Sequence, residues 1–367
     1  MTDLATAPTP PAPPTPPAPP ERMPRGSLAR AELRRFRSRR FIRVLLLLAV
    51  AGYLLVIGIS SATEFGKTTP EQLAAAERNI AEIVVEQNRF REQCLSDPNR
   101  PPVSERPPGL SEQEVSDEDL QCGPVNTAEN FPVEQFLDKT PFVLADLLPA
   151  GGLAVAVATA ALAFLIGATW VGAEWSSRAM VALLFWEPRR LKVMRVKLGV
   201  LIGACALLGL VGQLLWWGTA YVMASQLGRT GPLPDGFYGD LFAQQGRAIL
   251  LVVFTGLLGF AIANLVRNTG AALGVGFVYF AVVETAVRIF RSSWQEWLLT
   301  DNAAALVLDG GNRIIIYGEG FVDEQGNFVD SGRELLLTNL HGGLVLGVAT
   351  AVLVGLGVVL FARRDLH

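Results

Sequence analysis

The residues of this chain whose types and spacing could do chemistry are few, and most of them argue against an enzyme. Gly66-Lys67-Thr68 resembles the end of a phosphate-binding loop, but that pattern requires a glycine five residues before Gly66, where Ser61 stands. No strand-like run precedes it and the chain holds no other phosphate-loop candidate, so ATP hydrolysis by that fold is not expected of it. There is no HExxH, CxxC or GxSxG, and the two histidines, His341 and His367, leave little room for a histidine metal site or triad. Glu284 and Arg288 lie four apart within an apolar run, on one helical face where they can pair. A carboxylate inside a membrane span is a functional candidate by default, although structural pairing is preferred here to substrate contact. Gln213, Asn264 and Asn268 read as interhelical hydrogen-bonders.

The elements that must position these residues follow from composition. Half of the 367 residues are hydrophobic and 18% are charged, against about a quarter charged in soluble domains. These values exclude a wholly disordered chain and disfavour an ordinary cytosolic enzyme. A helix needs roughly 20 mostly apolar residues to cross a bilayer. Six stretches qualify, at 41–61, 148–172, 198–224, 247–266, 270–290 and 341–362, the fourth and fifth forming a tight hairpin. The expected fold is an all-α membrane protein with six transmembrane helices.

Charge sets its orientation. Residues 21–43 hold nine arginines against Glu21 and Glu32, and the loop 174–197 holds six basic residues against Glu174 and Glu187. Segment 62–147 has 17 acidic and 7 basic residues, and 291–340 has 8 and 3. Lysine and arginine in short loops mark the cytoplasmic side. Both termini are therefore expected inside a cell (cytoplasmic) membrane, bacterial in character, with 62–147, 225–246 and 291–340 outside. About forty residues precede the first apolar run, too many for a signal-peptide n-region.

Segment by segment, 1–27 reads as a disordered Pro-rich cytosolic leader, since a tract of repeated Pro-Pro populates polyproline II. Residues 28–43 suit a basic interfacial helix whose arginines reach headgroup phosphates. Direct fusion to the first span, 44–61, favours membrane lipid over nucleic acid as its partner. The acidic segment 62–147 should open with a helix capped by Thr69-Pro70-Glu71-Gln72. Leu73, Ala76, Ile80, Ile83, Gln87, Phe90 and Cys94 then recur on one stripe that needs a partner; Asp97-Pro98 stops it, and a loop rich in Pro, Ser and acid follows to residue 119. Cys94 and Cys122 share this external segment, where a disulfide can form. Closing that loop contributes roughly 3–4 kcal/mol by the chain-entropy model. Cys205, inside the third span, reads as a small apolar residue.

The most specific stretch is 174–197. It begins Glu174-Trp175-Ser176-Ser177, continues as a short apolar helix containing Met180, Leu183, Leu184, Phe185 and Trp186, breaks at Glu187-Pro188, and resumes with Arg189-Arg190-Leu191 before Lys197. Those large side chains must lie on a membrane surface or plug into another protein.

On these residues the chain resembles the permease subunits of type-2 ATP-binding-cassette exporters. Glu174, Trp175, Leu183, Leu184, Pro188, Arg190, Leu191 and Lys197 match the family pattern in order, and the ending Phe361-Ala362-Arg363-Arg364-Asp365 and the basic helix before the first span look alike too. Arg178-Ala179 departs from it, standing where a Gly-Thr pair is common. The resemblance covers 28–61 and 148–367, the latter comprising the five remaining spans, the coupling loop 174–197 and an external cap at 291–340.

The resemblance implies a non-enzymatic permease working with a separate cytosolic ATPase subunit, which binds ATP and Mg; no cofactor belongs to this chain. It implies a second permease copy or homologue, and docking of the ATPase on Glu174, Trp175, Met180, Leu184, Phe185 and Arg190. The pathway would run along the second and fifth spans, where Phe164, Thr169, Phe277, Tyr279, Phe280 and Glu284 are candidates and suit an amphipathic or lipid-like cargo. Phe277, Phe280 and Glu284, three and four apart, are expected on one helix face. A different class is a membrane-anchored sensor or assembly protein acting through its 62–147 ectodomain, which an adjacent ATPase gene would argue against.

Overall fold

The computed structural model describes residues 26–99, 116–316, 321–322, 328–329 and 332–363. The Pro-rich tract, most of the loop after Pro98, and Arg364 and Asp365 of the tail lie outside the described residues.

Six helices are long and apolar enough to cross a membrane, which is the character of a multi-pass membrane protein. They are α2 (Arg40–Thr63), α5 (Leu144–Ser176), α7 (Arg190–Leu227), α8 (Phe237–Val266), the pair α9 (Thr269–Val278) and α10 (Glu284–Phe290) joined by a π-helical turn, and α12 (Asn339–Arg363). Most exceed the apolar runs that announced them. α5 has 33 residues and α7 has 38, so at 1.5 Å per residue they extend to about 50 and 57 Å. Both overrun a hydrocarbon layer of roughly 30 Å, and their surplus turns build the polar ends of the bundle.

The bundle centres on α5 and α8, which meet along small residues. A Cβ on Gly167 would fall 2.1 Å from the Gly256 carbonyl oxygen, and one on Gly256 would fall 2.4 Å from Cys205 Sγ of α7. The backbones come this close because no side chain intervenes, as is usual where helices pack in lipid. Ala156, Ala160, Ala163, Val252, Phe260 and Leu346 complete this core. α2 and α9–α10 stand at the periphery with apolar side chains turned outward.

One end of the bundle gathers α1 (Gly26–Ser38), the short helix α6 (Ala179–Trp186), the turn at Arg267 and the end of α12; it is the basic end. Arg39 is extended and breaks α1 from α2. The opposite, acidic end carries α3 (Pro70–Ser96) and α4 (Asp117–Cys122), joined by the Cys94–Cys122 disulfide. Thr69 caps α3 through the reciprocal bonds with Gln72. Along its expected stripe Ala76 and Ile80 are buried, whereas Leu73 and Phe90 are exposed. Arg91 reaches across to Asp119 at 3.0 Å. The Ser116 hydroxyl, and then Arg91, hold the Asp119 carboxyl below its usual range.

Among the described residues the acidic end also has three strand pairs. β1 (Phe142–Val143) pairs in parallel with β2 (Gly228–Arg229), joining the start of α5 to the end of α7. Trp216 packs beneath them and donates from Nε1 to the Leu148 carbonyl at 2.9 Å. After α11 (Leu299–Val307), β3 (Asn312–Ile316) pairs antiparallel with a strand at Arg333–Leu337, enclosing a smaller antiparallel pair, Phe321–Val322 with Phe328–Val329.

Candidate functional site

The loop between α5 and α7 is positioned by a buried ionic cluster. Lys197 Nζ, on the second turn of α7, donates to Glu32 Oε2 at 2.7 Å and forms an ion pair with Glu174 Oε2 at 2.7 Å. It also sits 5.0 Å over the Trp170 ring. Arg39 reaches the other Glu174 oxygen at 3.0 Å, and Arg35 reaches Glu32 at 3.3 Å. Glu32, Lys197 and Glu174 are 1%, 1% and 3% exposed. Buried ions are tolerated only when paired and hydrogen-bonded, and here two carboxylates face an ammonium and two guanidinium groups. The chain thus ties both ends of its 174–197 loop to each other and to α1.

Between these ends, α6 is held two-sidedly. Ser177 ends α5, and Arg178 takes the left-handed conformation, φ 54°. That region favours glycine, and here an arginine adopts it. Met180 and Leu183 turn inward and Leu184 packs against the main core. Phe185 and Trp186 project, 85% and 80% exposed. Pro188 denies α6 a continuation, and Glu187 pairs with Lys192, which lowers the Glu187 pKa.

A second polar knot fastens the same end. Trp175 Nε1 donates to Asn264 Oδ1 at 3.1 Å, and Asn264 Nδ2 donates to the Gly357 carbonyl at 3.1 Å. Arg267 lies 4.6 Å from the Trp175 ring, whose other neighbour is Phe361. Arg190 donates to the Phe361 and Ala362 carbonyls at 3.3 Å, where a cation satisfies the open end of α12.

Of the six docking candidates, then, Glu174, Trp175 and Arg190 are engaged in holding the end of the bundle together. Met180 is 0% exposed and packs into the bundle rather than projecting from it. Leu184 is half-buried and Phe185 projects. Trp186, named as part of the apolar helix but not among the candidates, projects equally. Glu32 was legible only as one acid among arginines. A signal was present: Glu32 and Phe36 fall four residues apart on one face of α1, with Arg39 just past its end, and Phe36 stacks edge-on against Trp170 at 5.2 Å.

At the acidic end the fifth span behaves differently from its periodicity. Phe277 and Phe280 are 70% and 63% exposed, but Glu284 is fully buried, so the expectation of one shared face is corrected. The cause is the π-helical turn Tyr279–Val283, in which the Glu284 N–H bonds the Tyr279 carbonyl five residues back. The extra residue rotates everything after it away from the α-helical register. Glu284 accepts from the Thr300 N–H at 3.1 Å and from the Thr300 hydroxyl. It therefore caps α11 from another helix, where Leu298, the residue at the cap position, has no side-chain acceptor. Arg288 stands 3.6 Å from Glu284 but closer, 3.0 Å, to Asp301. The Tyr279 hydroxyl accepts from the Leu299 N–H at 3.3 Å.

Among the remaining candidates, Phe164 packs its ring on Gly276 of the fifth span. Thr169 spends its hydroxyl on the Leu165 carbonyl of its own helix at 2.6 Å. Gln213 bonds between helices, to the Gly152 carbonyl. Asn268 does not: it caps α9 by accepting from the Ala271 N–H, because a turn this short places its side chain beside the next helix's first free donors. Among the described residues no group of three or more His, Cys, Asp or Glu could hold a metal ion. Comparison with family models, with curated proteins and with solved structures finds no match for this chain.

Proposed function

We propose that this chain is the permease subunit of an ATP-driven exporter of the type-2 ATP-binding-cassette kind, with its basic end in the cytoplasm. The observation that carries the reading is the two-sided seating of α6: Met180 and Leu183 are buried against the bundle, while Phe185 and Trp186 project at its end. Two adjacent large apolar side chains in water are unfavourable by several kcal/mol unless another surface covers them. The apolar cleft of an ATPase is the occupant the family resemblance supplies. The buried Glu174–Lys197 pair makes the loop stiff enough to transmit movement of α6 into α5 and α7. The outward face of the fifth span, with Phe277 and Phe280, would meet a second permease copy and line the route of an amphipathic or lipid-like cargo.

Docking is tested by Phe185→Asp with Trp186→Asp. These positions contribute little to the isolated fold, so membrane insertion and monodispersity should persist. A charge forced into an apolar cleft without a partner costs several kcal/mol, so an ATPase that co-purifies with the wild type should be lost. Undiminished recovery of the ATPase rejects α6 as the docking element.

A further inference from the structure

Not all arginines before the first span are engaged inside the protein. Arg35 bonds Glu32, Arg39 bonds Glu174, and Arg43 donates to the Ser38 carbonyl. Arg30, Arg34 and Arg37 are exposed and make no ion pair or side-chain hydrogen bond among the described residues. Their spacing, four then three, aligns them on one stripe. At 100° per residue that stripe lies roughly half a turn from Glu32 and Phe36, the face docked on α5 and α7. The acid of α1, Glu32, is thus hidden, and the outward face carries positive charge alone. Leu33 beside it and Phe41 at the start of α2 are 45% and 54% exposed, and only Arg39 separates α1 from the span α2.

We propose that the outer face of α1 binds anionic phospholipid headgroups, and that Glu32 wires this contact to loop 174–197. Guanidinium groups pair with phosphate oxygens in a fork geometry. A basic helix with flanking apolar groups, continuous with a span, is held where those phosphates lie. A nucleic acid would match the charge but leave Leu33 and Phe41 in water. Binding orders α1, and α1 holds Lys197 and, through Arg39, Glu174, the two ends of the loop. Anionic lipid therefore stiffens the loop. That this matters for an ATPase rests on the function proposed above; both measurements below use the chain alone, so their failure and the failure of that reading are distinguishable.

The first measurement is native mass spectrometry of the full chain released from nanodiscs of mixed phosphatidylglycerol and phosphatidylcholine. The wild type should retain phosphatidylglycerol in excess. Each of Arg30→Gln, Arg34→Gln and Arg37→Gln should lower that preference roughly fivefold, and the triple variant should abolish it. Equal retention by the triple variant overturns the lipid site. So does displacement of the lipid by inorganic phosphate, which would mark a simple anion site, or by a short RNA. The second is hydrogen exchange of residues 174–197, slower in phosphatidylglycerol discs than in phosphatidylcholine discs. Glu32→Gln leaves the stripe intact, so it should keep the lipid preference and lose the exchange difference. A lipid-dependent difference surviving in Glu32→Gln overturns the wiring.

Discussion

Lys197 is the residue on which the basic end turns, because it is the buried cation shared by two buried carboxylates. Lys197→Met leaves Glu32 and Glu174 facing each other with Arg39 and Arg35 at the margin. Breaking a buried pair from one side costs about 3–5 kcal/mol, and thermal unfolding of the purified chain in detergent should register a loss of that order. Adding Glu32→Gln and Glu174→Gln to Lys197→Met removes the uncompensated charges and should recover most of the stability. A Lys197→Met variant as stable as the wild type would show the cluster to be solvated. The same reasoning separates Glu174 from Phe185: a Glu174 variant acts through the fold, a Phe185 variant through what α6 touches.

At the scale of the element, the π-helical turn decides the fifth span. Without it Glu284 would share the outward face of Phe277 and Phe280, a carboxylate turned toward lipid at a cost of several kcal/mol. With it the carboxylate enters the interface and terminates α11. Glu284→Ala removes the acceptor for the Thr300 N–H and hydroxyl, and loss of a cap costs about 1 kcal/mol, more when the acceptor is charged. Hydrogen exchange at the first turn of α11 should quicken about tenfold or more, with the protection of α5 and α8 unchanged. Unchanged exchange at Thr300 would show that α11 is held by its apolar contacts alone. α6 makes the complementary point: its residues Ala179–Trp186 are apolar all round, so periodicity could not say which face is inward.

For the whole molecule, the outward-facing apolar surfaces of α2 and α9–α10 must meet lipid or protein. In the proposed dimer the fifth spans of two copies approach. Single-cysteine variants on a Cys205→Ala background, which leaves the Cys94–Cys122 disulfide in place, test this. Oxidation should crosslink Phe277→Cys or Phe280→Cys between copies, with a yield that changes when an ATPase partner binds ATP. Glu284→Cys should not crosslink, since that position is covered by α11. Crosslinking at Glu284→Cys but not at Phe277→Cys or Phe280→Cys would invert the proposed seam.

The features readable in advance are those set by local rules. Six spans follow from the length of apolar runs, because a bilayer demands that length whatever the neighbours are. The capped start of α3 follows from four consecutive residues, and the Cys94–Cys122 link follows from two cysteines on one acidic segment. Even α11 and the outer strands were foreseen only as a cap of unstated structure. Long-range packing settled which charges meet. Glu32 and Lys197 are 165 residues apart in the chain, and no periodicity relates them. It decided as well that Met180 is sealed in while Phe185 is presented, and that one extra residue in the fifth span swings Glu284 onto Thr300. Each of these depends on how helices are rotated against one another, and that rotation is set by close packing such as the Gly167–Gly256 approach, a property of pairs of surfaces rather than of either segment.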